Sequence, residues 1–234
     1  MTHSIRPTVR VAHYTLLDRL DRGDRVQTYL AQDPMGENVV FKFCEGLRLG
    51  PRFRNETFLK IDTPATTRIL DEGCFEGRPY IVREYIDGVS LEHFMHQRAA
   101  PDRRRRLLSA FAALLAAVDD LHKWSCPSTD ARGIAHRALH ERNILLTPQG
   151  TIKLINFEFV KPIRHQGTAQ ICCPMPRDAV DIIALQDLLS RLLLGHGEVP
   201  APLFGGFRGL LELARGRVFS IGEFCERFDH AVRV

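Results

Sequence analysis

The amino-acid sequence predicts an α+β protein in which strands come first and helices follow. Short apolar segments separated by turn residues fill the first third of the chain, as expected for antiparallel strands. From residue 90 onward the apolar residues recur at helical spacing, most clearly between 102 and 124. With 234 residues, 44% of them hydrophobic, the chain can bury the core of one large domain or of two small lobes.

Three strands, a helix and two further strands are predicted in the first part of the chain. The turn signal Asp33-Pro34-Met35-Gly36 separates the second strand from the third, and Glu76-Gly77-Arg78 separates the fourth from the fifth. The helix ends before Pro64, because the residue before a proline disfavours the α region. The predicted strands cover residues 14–20, 26–31, 38–44, 67–72 and 79–84, and the helix covers 53–61.

Helices dominate the remainder. The longest has an apolar stripe at i, i+3/i+4 and i+7, with Asp102 as its N-cap, and the last helix follows a Ser220 cap. A hairpin interrupts them, and the polar segment 125–133 is predicted to be a surface loop that could serve as a partner site. The predicted helices cover 91–97, 102–124, 178–194 and 221–232, and the hairpin strands cover 144–147 and 152–156.

Composition and charge exclude several classes of protein. The net charge is +4, with basic residues spread among 28 acids, so no nucleic-acid partner is expected. Arginines 103–106 indicate a solvated helix start, and a bound anionic partner there is the alternative. No segment reaches the ~18 uninterrupted apolar residues of a membrane span, and residues 1–12 hold no signal-peptide run. These features predict a soluble cytoplasmic protein, with export by a route that leaves no cleavable signal as the alternative. The six cysteines lack metal-ligand spacing and are expected to be reduced.

Two short segments carry the most specific information. The first reads His136-Arg137-Ala138-Leu139-His140-Glu141-Arg142-Asn143 and the second reads Asn156-Phe157-Glu158. They resemble the catalytic loop and metal loop of protein kinases, whose templates are H-R-D-L-x-x-x-N and D-F-G. In that family the first Asp accepts or orients the proton of the substrate hydroxyl, and the second holds Mg²⁺ on the nucleotide phosphates. Ala138 and Asn156 stand in those places, so the resemblance implies a kinase fold without its phosphoryl-transfer chemistry.

Further motifs at kinase-like intervals extend the resemblance from about residue 14 to residue 232. It implies a bilobal protein kinase-like fold, similar to a small bacterial Ser/Thr kinase homologue. The N-lobe, residues 1–85, would be a five-stranded antiparallel sheet with one helix, and the C-lobe, residues 86–234, would be reduced and mainly helical. Asp181 would brace the backbone of the catalytic loop, and Arg217 matches the arginine that precedes the last kinase helix.

The resemblance also implies where a nucleotide would bind. Lys42 corresponds to the third-strand lysine that holds the α and β phosphates of ATP. Backbone groups of Glu84, Tyr85 and Ile86 would meet the adenine. The segment 20–26 departs from the family, because it offers one glycine and two acids where closely approaching backbone N–H groups are needed.

The acid that pairs with this lysine in kinases has two candidate positions. Glu56 is the acid within the predicted N-lobe helix, and Arg54 lies nearer the register expected for the pairing residue. An arginine there would repel Lys42, whereas Glu56 would reach the lysine if the helix is shorter or rotated.

Asn143, Asn156 and Glu158 are the candidate Mg²⁺ ligands. Glu158 replaces the glycine of the kinase template and is either a substitute ligand or a residue that fills space. His140 replaces a lysine of many protein kinases. It is the residue of the loop that could act as an improvised base near neutral pH, and a structural role is the alternative.

The leading hypothesis is a pseudokinase that regulates or scaffolds a protein partner, with lost or very weak phosphotransferase activity. ATP is a possible ligand, and the changed positions put both nucleotide binding and Mg²⁺ binding in doubt. The alternative is an atypical ATP-dependent transferase that uses Lys42, Asn143, Glu158 and His140 on the same scaffold. A third interpretation is a relative of small-molecule kinases of the aminoglycoside or lipopolysaccharide type, which also carry both acids.

Overall fold

The computed structural model describes residues 9–21, 26–44, 61–97, 103–125, 131–165, 179–194, 207, 210 and 220–233. The chain divides into two compact units, the first formed by Met1–Lys60 and Thr67–Ile86 and the second by Ile61–Thr66 and Asp87–Val234. The short segment Ile61–Thr66 therefore belongs with the second unit, although it lies within the predicted N-lobe. The assignment of 1–85 and 86–234 as two lobes stays a prediction.

The first unit is built on a six-stranded antiparallel sheet with the order β1-β2-β3-β4-β6-β5. Five of its strands match the predicted ones to within a few residues. The sixth is β1, which is only three residues long and therefore too short to show an alternating pattern. The strands are β1 (Val9–Val11), β2 (Tyr14–Arg19), β3 (Val26–Gln32), β4 (Asn38–Cys44), β5 (Ile69–Phe75) and β6 (Arg78–Glu84).

Aromatic side chains fill the core of the first unit. The ring of Phe41 lies 5.5 Å from that of Tyr14 and 4.8 Å from that of Tyr80. Both tyrosine hydroxyls donate to Oδ2 of Asp71, at 3.1 and 3.4 Å. Burial, together with this carboxylate, raises the pKa of both phenols. The Asp71 carboxylate thereby links β2, β5 and β6.

Both predicted turns of the first unit are confirmed. Oδ1 of Asp33 accepts from the N–H groups of Met35 and Glu37, and Gly36 has a φ of 84°. Glu76 and Gly77 have φ values of 50° and 76°, as a two-residue hairpin turn between antiparallel strands requires.

Helices α1 (Leu91–His96), α2 (Arg103–Lys123), α3 (Ala179–Leu194) and α4 (Ile221–Arg233) are described in the second unit. The predicted apolar stripe of α2 is buried, and its Phe111 ring lies 5.2 Å from the Phe228 ring of α4. The hydroxyl of Ser220 accepts from the N–H of Glu223, which confirms the predicted cap. Asp102, the other predicted cap, lies outside the described residues. No described helix combines the length and the apolar character needed to cross a membrane.

Two small sheets complete the second unit. β7 (Val89–Ser90), β9 (Ile144–Leu146) and β10 (Ile152–Leu154) form one, and β8 (Ala131–Ala135) pairs with β11 (Lys161–His165) in the other. The α+β fold class is therefore confirmed.

The predicted surface loop at 125–133 is partly wrong, because residues 131–133 begin β8. Gly133 lies against the end of α2, where its N–H donates to the Trp124 carbonyl at 2.7 Å. It has a φ of 66°, and a Cβ there would lie 2.5 Å from the carbonyl oxygen of His122. Only glycine fits this approach without a shift of the backbone. The strand depends on the distant partner β11, which local polarity does not reveal.

Candidate active site

The segment between β8 and β9, hereafter the catalytic-type loop (residues 136–143), is anchored by Asp181 in the first turn of α3. This carboxylate is fully buried. Its Oδ2 accepts from the N–H of His136 and its Oδ1 from the N–H of Arg137, both at 2.7 Å. Charge-assisted bonds of this length are among the stronger hydrogen bonds in proteins. They hold Arg137 at a φ of 65°, a conformation that costs energy in a non-glycine residue. The predicted bracing role of Asp181 is confirmed.

His122, on α2, is a site residue that the sequence interpretation missed. Its Nε2 lies 2.9 Å from Oδ2 of Asp181, and its side chain is 4% exposed. Because the carboxylate accepts, Nε2 carries the proton and donates. Its Nδ1 is buried without a hydrogen-bond partner in the part of the chain that the structure describes. Its only sequence signal is a histidine near the end of an apolar helix.

His136 connects the loop to the segment after β10. Its Nε2 donates to the Ile155 carbonyl at 3.0 Å, and its Nδ1 accepts from the N–H of Ala138 at 3.3 Å. These two bonds define a neutral imidazole. Burial lowers the pKa of His136, which is consistent with the neutral form. Its ring also lies 4.8 Å from that of Phe157.

Ala138 occupies the position of the kinase base. It is half-buried, and its polar groups serve the loop itself: the N–H donates to His136 and the carbonyl accepts from Nδ2 of Asn143 at 2.9 Å. The methyl group offers no proton acceptor. The position can shape the loop but cannot take a proton from a hydroxyl.

The side chain of Asn143 forms hydrogen bonds to three other predicted site residues. Its buried side chain donates from Nδ2 to the Ala138 carbonyl and to Nε2 of His140, each at 2.9 Å, and accepts at Oδ1 from Nδ2 of Asn156 at 2.7 Å. The structure therefore brings together four predicted site residues within the second unit.

The ring of His140 is held in place by its hydrogen bond to the Asn143 side chain. Because an amide nitrogen has hydrogens and no lone pair to offer, Nε2 of His140 accepts from Asn143. A neutral imidazole then carries its proton on Nδ1, so the Arg142 N–H that lies 3.3 Å from Nδ1 cannot also donate to it. Burial is the largest cause lowering the pKa of His140. The lone pair that an improvised base would use is thus engaged inside the loop, which favours the structural role for His140.

The residues at the metal positions do not fit Mg²⁺. This ion prefers an octahedral set of oxygens that includes carboxylates, whereas Asn143 and Asn156 are neutral amides bonded directly to each other. Glu158, two residues after Asn156 in the sequence, is half-buried. Within the described ranges, no cluster of three or more His, Cys, Asp or Glu side chains could hold a metal ion.

Lys42 and the predicted adenine-contacting residues lie in the first unit. Lys42 is 4% exposed near the middle of β4, paired in register with Thr28 of β3 and Ile81 of β6. Its role toward phosphates stays a prediction.

Glu84 forms hydrogen bonds to Arg68 within the first unit. Its N–H donates to the Arg68 carbonyl at 3.1 Å, and its carboxylate accepts from the N–H and Nε of Arg68. Tyr85 is exposed and Ile86 is half-buried. The adenine contacts assigned to these three residues stay predictions.

Several predicted features lie outside the described residues. These are Glu56 and Arg54 in the predicted N-lobe helix, positions 22–25 of the phosphate-loop segment, and Arg217.

A family model described as "Protein tyrosine and serine/threonine kinase" matches residues 55–176, which is more than half of the chain. The chain belongs to the protein kinase family. The matched region contains the whole catalytic-type loop, Asn156 and Glu158. The roles assigned to these residues stay predictions.

Bacterial kinases are among the relatives of this family member. It is 27% identical over 168 residues to the "Probable serine/threonine-protein kinase PknB" of Lactococcus lactis, a match that covers 67% of this chain and 25% of that protein. It is 28% identical over 168 residues to the "Serine/threonine-protein kinase PknB" of Mycobacterium tuberculosis, with the same coverage of both chains. The aligned regions span only about a quarter of the length of these relatives.

The structural comparison supports the fold. The crystal structure of the Mycobacterium tuberculosis PknI kinase domain superposes with a TM-score of 0.66 and 20% identity, covering 97% of this chain and 100% of that one. The chain therefore has the protein kinase-like fold that the motifs predicted.

Proposed function

We propose that this chain is a pseudokinase: a kinase-family module that regulates or scaffolds a protein partner in the cytoplasm, with lost or very weak phosphotransferase activity. The observation that carries the proposal is the pairing of an alanine at the base position of the kinase template with an amide at its metal position. Ala138 lies inside a well-anchored loop, and Asn156 is hydrogen-bonded to that loop through Asn143. Asp181 still braces that loop with two bonds of 2.7 Å.

The two losses act on different parts of the reaction. Loss of a general base costs ~10²–10⁴ in rate. Loss of the metal-holding carboxylate removes the charge that neutralises the transferring phosphoryl group. Because both positions are changed together, the combination supports a loss of phosphotransferase activity more than a change in its rate or specificity.

The alternative is an atypical ATP-dependent transferase that uses Lys42, Asn143, Glu158 and His140. Two observations weigh against it. Nε2 of His140 accepts a hydrogen bond from Asn143, and Oδ1 of Asn143 accepts one from Asn156. In this arrangement the lone pair of Nε2 that would take a substrate proton is engaged, and one of the two acceptor sites of Oδ1 is occupied.

A thermal-shift titration with ATP, alone and with Mg²⁺ or Mn²⁺, separates the two functions. A ligand present at a hundred times its Kd stabilises a protein by about 2.7 kcal/mol, or roughly 5–11 °C for a domain of this size. The pseudokinase proposal predicts no metal-dependent rise in Tm. A rise that requires the divalent ion would favour the transferase.

A further inference from the structure

The bond between Asn156 and Asn143 joins two segments that lie on either side of the β9–β10 hairpin, 13 residues apart. Nδ2 of Asn156, after β10, donates to Oδ1 of Asn143, in the catalytic-type loop, at 2.7 Å. The N–H of Ile155 also donates to the Asn143 carbonyl at 3.0 Å. We call the side-chain pair Asn143–Asn156 the amide clasp. The loop and the segment after β10 are thus connected through protein atoms alone.

The direction of the clasp is fixed by the other partners of Asn143. Its Nδ2 has two hydrogens, and these go to the Ala138 carbonyl and to Nε2 of His140. A flipped amide would place Oδ1 against the Ala138 carbonyl, so that two acceptors would meet. Oδ1 must therefore point to residue 156, and residue 156 must donate.

A carboxylate at position 156 cannot make this bond at neutral pH, because an ionised Asp only accepts. Asn156 also has a φ of 66°, a left-handed conformation that asparagine and aspartate tolerate better than most other side chains. Asparagine therefore satisfies both the backbone and the donor requirement, whereas aspartate satisfies only the first.

We propose that Asn156 is a positioning residue that takes the place of a bridging metal ion, so that the catalytic-type loop keeps its shape without any divalent cation. The inference rests on the proposed function in one respect: it assumes that the shape of the loop, and not catalysis, is what has been retained. It predicts that a partner recognises the same loop conformation whether or not Mg²⁺ is present.

Asn156→Asp is the direct test, because it keeps the size and backbone preference of the side chain and removes only the donor. Gln149→Glu is the matched control, since it makes the same amide-to-carboxylate change on the exposed turn between β9 and β10 of the same unit. The Tm of both variants and of the native protein is measured in EDTA and in millimolar Mg²⁺.

In EDTA, Asn156→Asp is expected to lower Tm by roughly 2–10 °C, and Gln149→Glu to leave it within about 2 °C. Mg²⁺ is expected to restore part of the loss in Asn156→Asp, where it can bridge the new carboxylate and Oδ1 of Asn143. It should not change the native protein. A loss through damaged packing alone would not respond to Mg²⁺.

Three outcomes would overturn the inference: an Asn156→Asp variant as stable as the native protein in EDTA, a loss that Mg²⁺ does not reverse, or a native Tm that Mg²⁺ raises. If Asn156→Asp does not fold, hydrogen exchange of the Ile155–Phe157 amides in the native protein gives the answer, since the clasp predicts the same protection in EDTA and in Mg²⁺. Phosphotransfer by the native protein would refute the proposed function without affecting these stability results.

Discussion

The catalytic-type loop has a buried side and a more exposed side, and the two sides differ in which acids they retain. On the buried side, Asp181 accepts from the backbone of His136 and Arg137 and from the ring of His122. On the other side lie Ala138 and, hydrogen-bonded to the loop, Asn156, which we propose replace the two acids of the kinase template. On this proposal the acid that supports the backbone is retained and the two acids of the chemistry are replaced.

The two sides of the loop therefore meet two different requirements, one for a stable backbone conformation and one for the reaction. A buried carboxylate that accepts three hydrogen bonds is needed to stabilise the loop conformation whether or not a reaction takes place. A carboxylate that handles a substrate proton or an ion is required for the reaction, and it can be replaced when the reaction is no longer required. The amide clasp shows that such a replacement can also add a new structural bond.

Removing Asp181 is expected to have the largest effect. Asp181→Ala leaves two backbone N–H groups and the His122 ring without their acceptor in a buried site, which should lower the free energy of unfolding by about 3–5 kcal/mol. Urea denaturation followed by circular dichroism measures the change.

Asp187→Ala is the matched control on the same helix. Asp187 is 64% exposed and forms a surface pair with Arg191 at 2.8 Å, so its removal should cost less than about 1 kcal/mol. Equal losses in the two variants would contradict the distinction between the buried and exposed sides.

His136 is expected to make stability depend on pH. Burial lowers the pKa of His136 below its ordinary value of 6.5. The unfolded chain therefore takes up a proton as pH falls below 6.5 while the folded chain stays neutral, and stability is lost on that side.

His136→Gln keeps a donor for Ile155 and removes the titration. Its free energy of unfolding should fall less steeply with decreasing pH below 6.5, by at most about 1.4 kcal/mol per pH unit. Denaturation at several pH values measures the slope, and a slope equal to that of the native protein would show that His136 is not the titrating group.

Substitution of His140, on the more exposed side of the loop, should lower the free energy of unfolding by a smaller amount. His140→Ala removes one acceptor of the Asn143 amide at a partly exposed position, and we expect a cost of less than about 1 kcal/mol. Phosphotransfer should remain at background. A larger loss would mean that His140, and not Asp181 alone, supports the loop.

Restoring both acids should have the smallest effect on activity. Ala138→Asp combined with Asn156→Asp supplies the two template carboxylates, but the segment 20–26 still carries one glycine and two acids where phosphates would lie. We expect no robust kinase activity in a γ-phosphate transfer assay. Strong autophosphorylation by the double variant, with none by the native protein, would show that these two positions alone decide whether the chain transfers phosphate.

The sequence predicted the parts of the fold that local patterns encode. The paired turn residues at Glu76 and Gly77, the Ser220 cap and the apolar stripe of α2 all depend on neighbours a few residues away. The strands β1 and β8 were missed because one is very short and the other is stabilised by a partner about thirty residues later.

In the candidate site, too, the sequence predicted the residues within motifs but not the contacts between distant residues. The kinase template identified Asp181, Asn143 and the two replaced acids, since each lies at a fixed place in a motif. It gave no indication of His122, which contacts Asp181 across 59 positions of the chain. Nor did it show that Asn156 supplies a donor, because that follows from the hydrogen-bond directions around Asn143.

Transfer of labelled γ-phosphate by the purified native protein tests the central claim most directly. The assay is run with Mg²⁺ and with Mn²⁺, on the protein itself and on a general protein substrate, beside a Lys42→Met variant. The pseudokinase account predicts that the native protein transfers no more label than the variant does. Transfer by the native protein that Lys42→Met abolishes would contradict it.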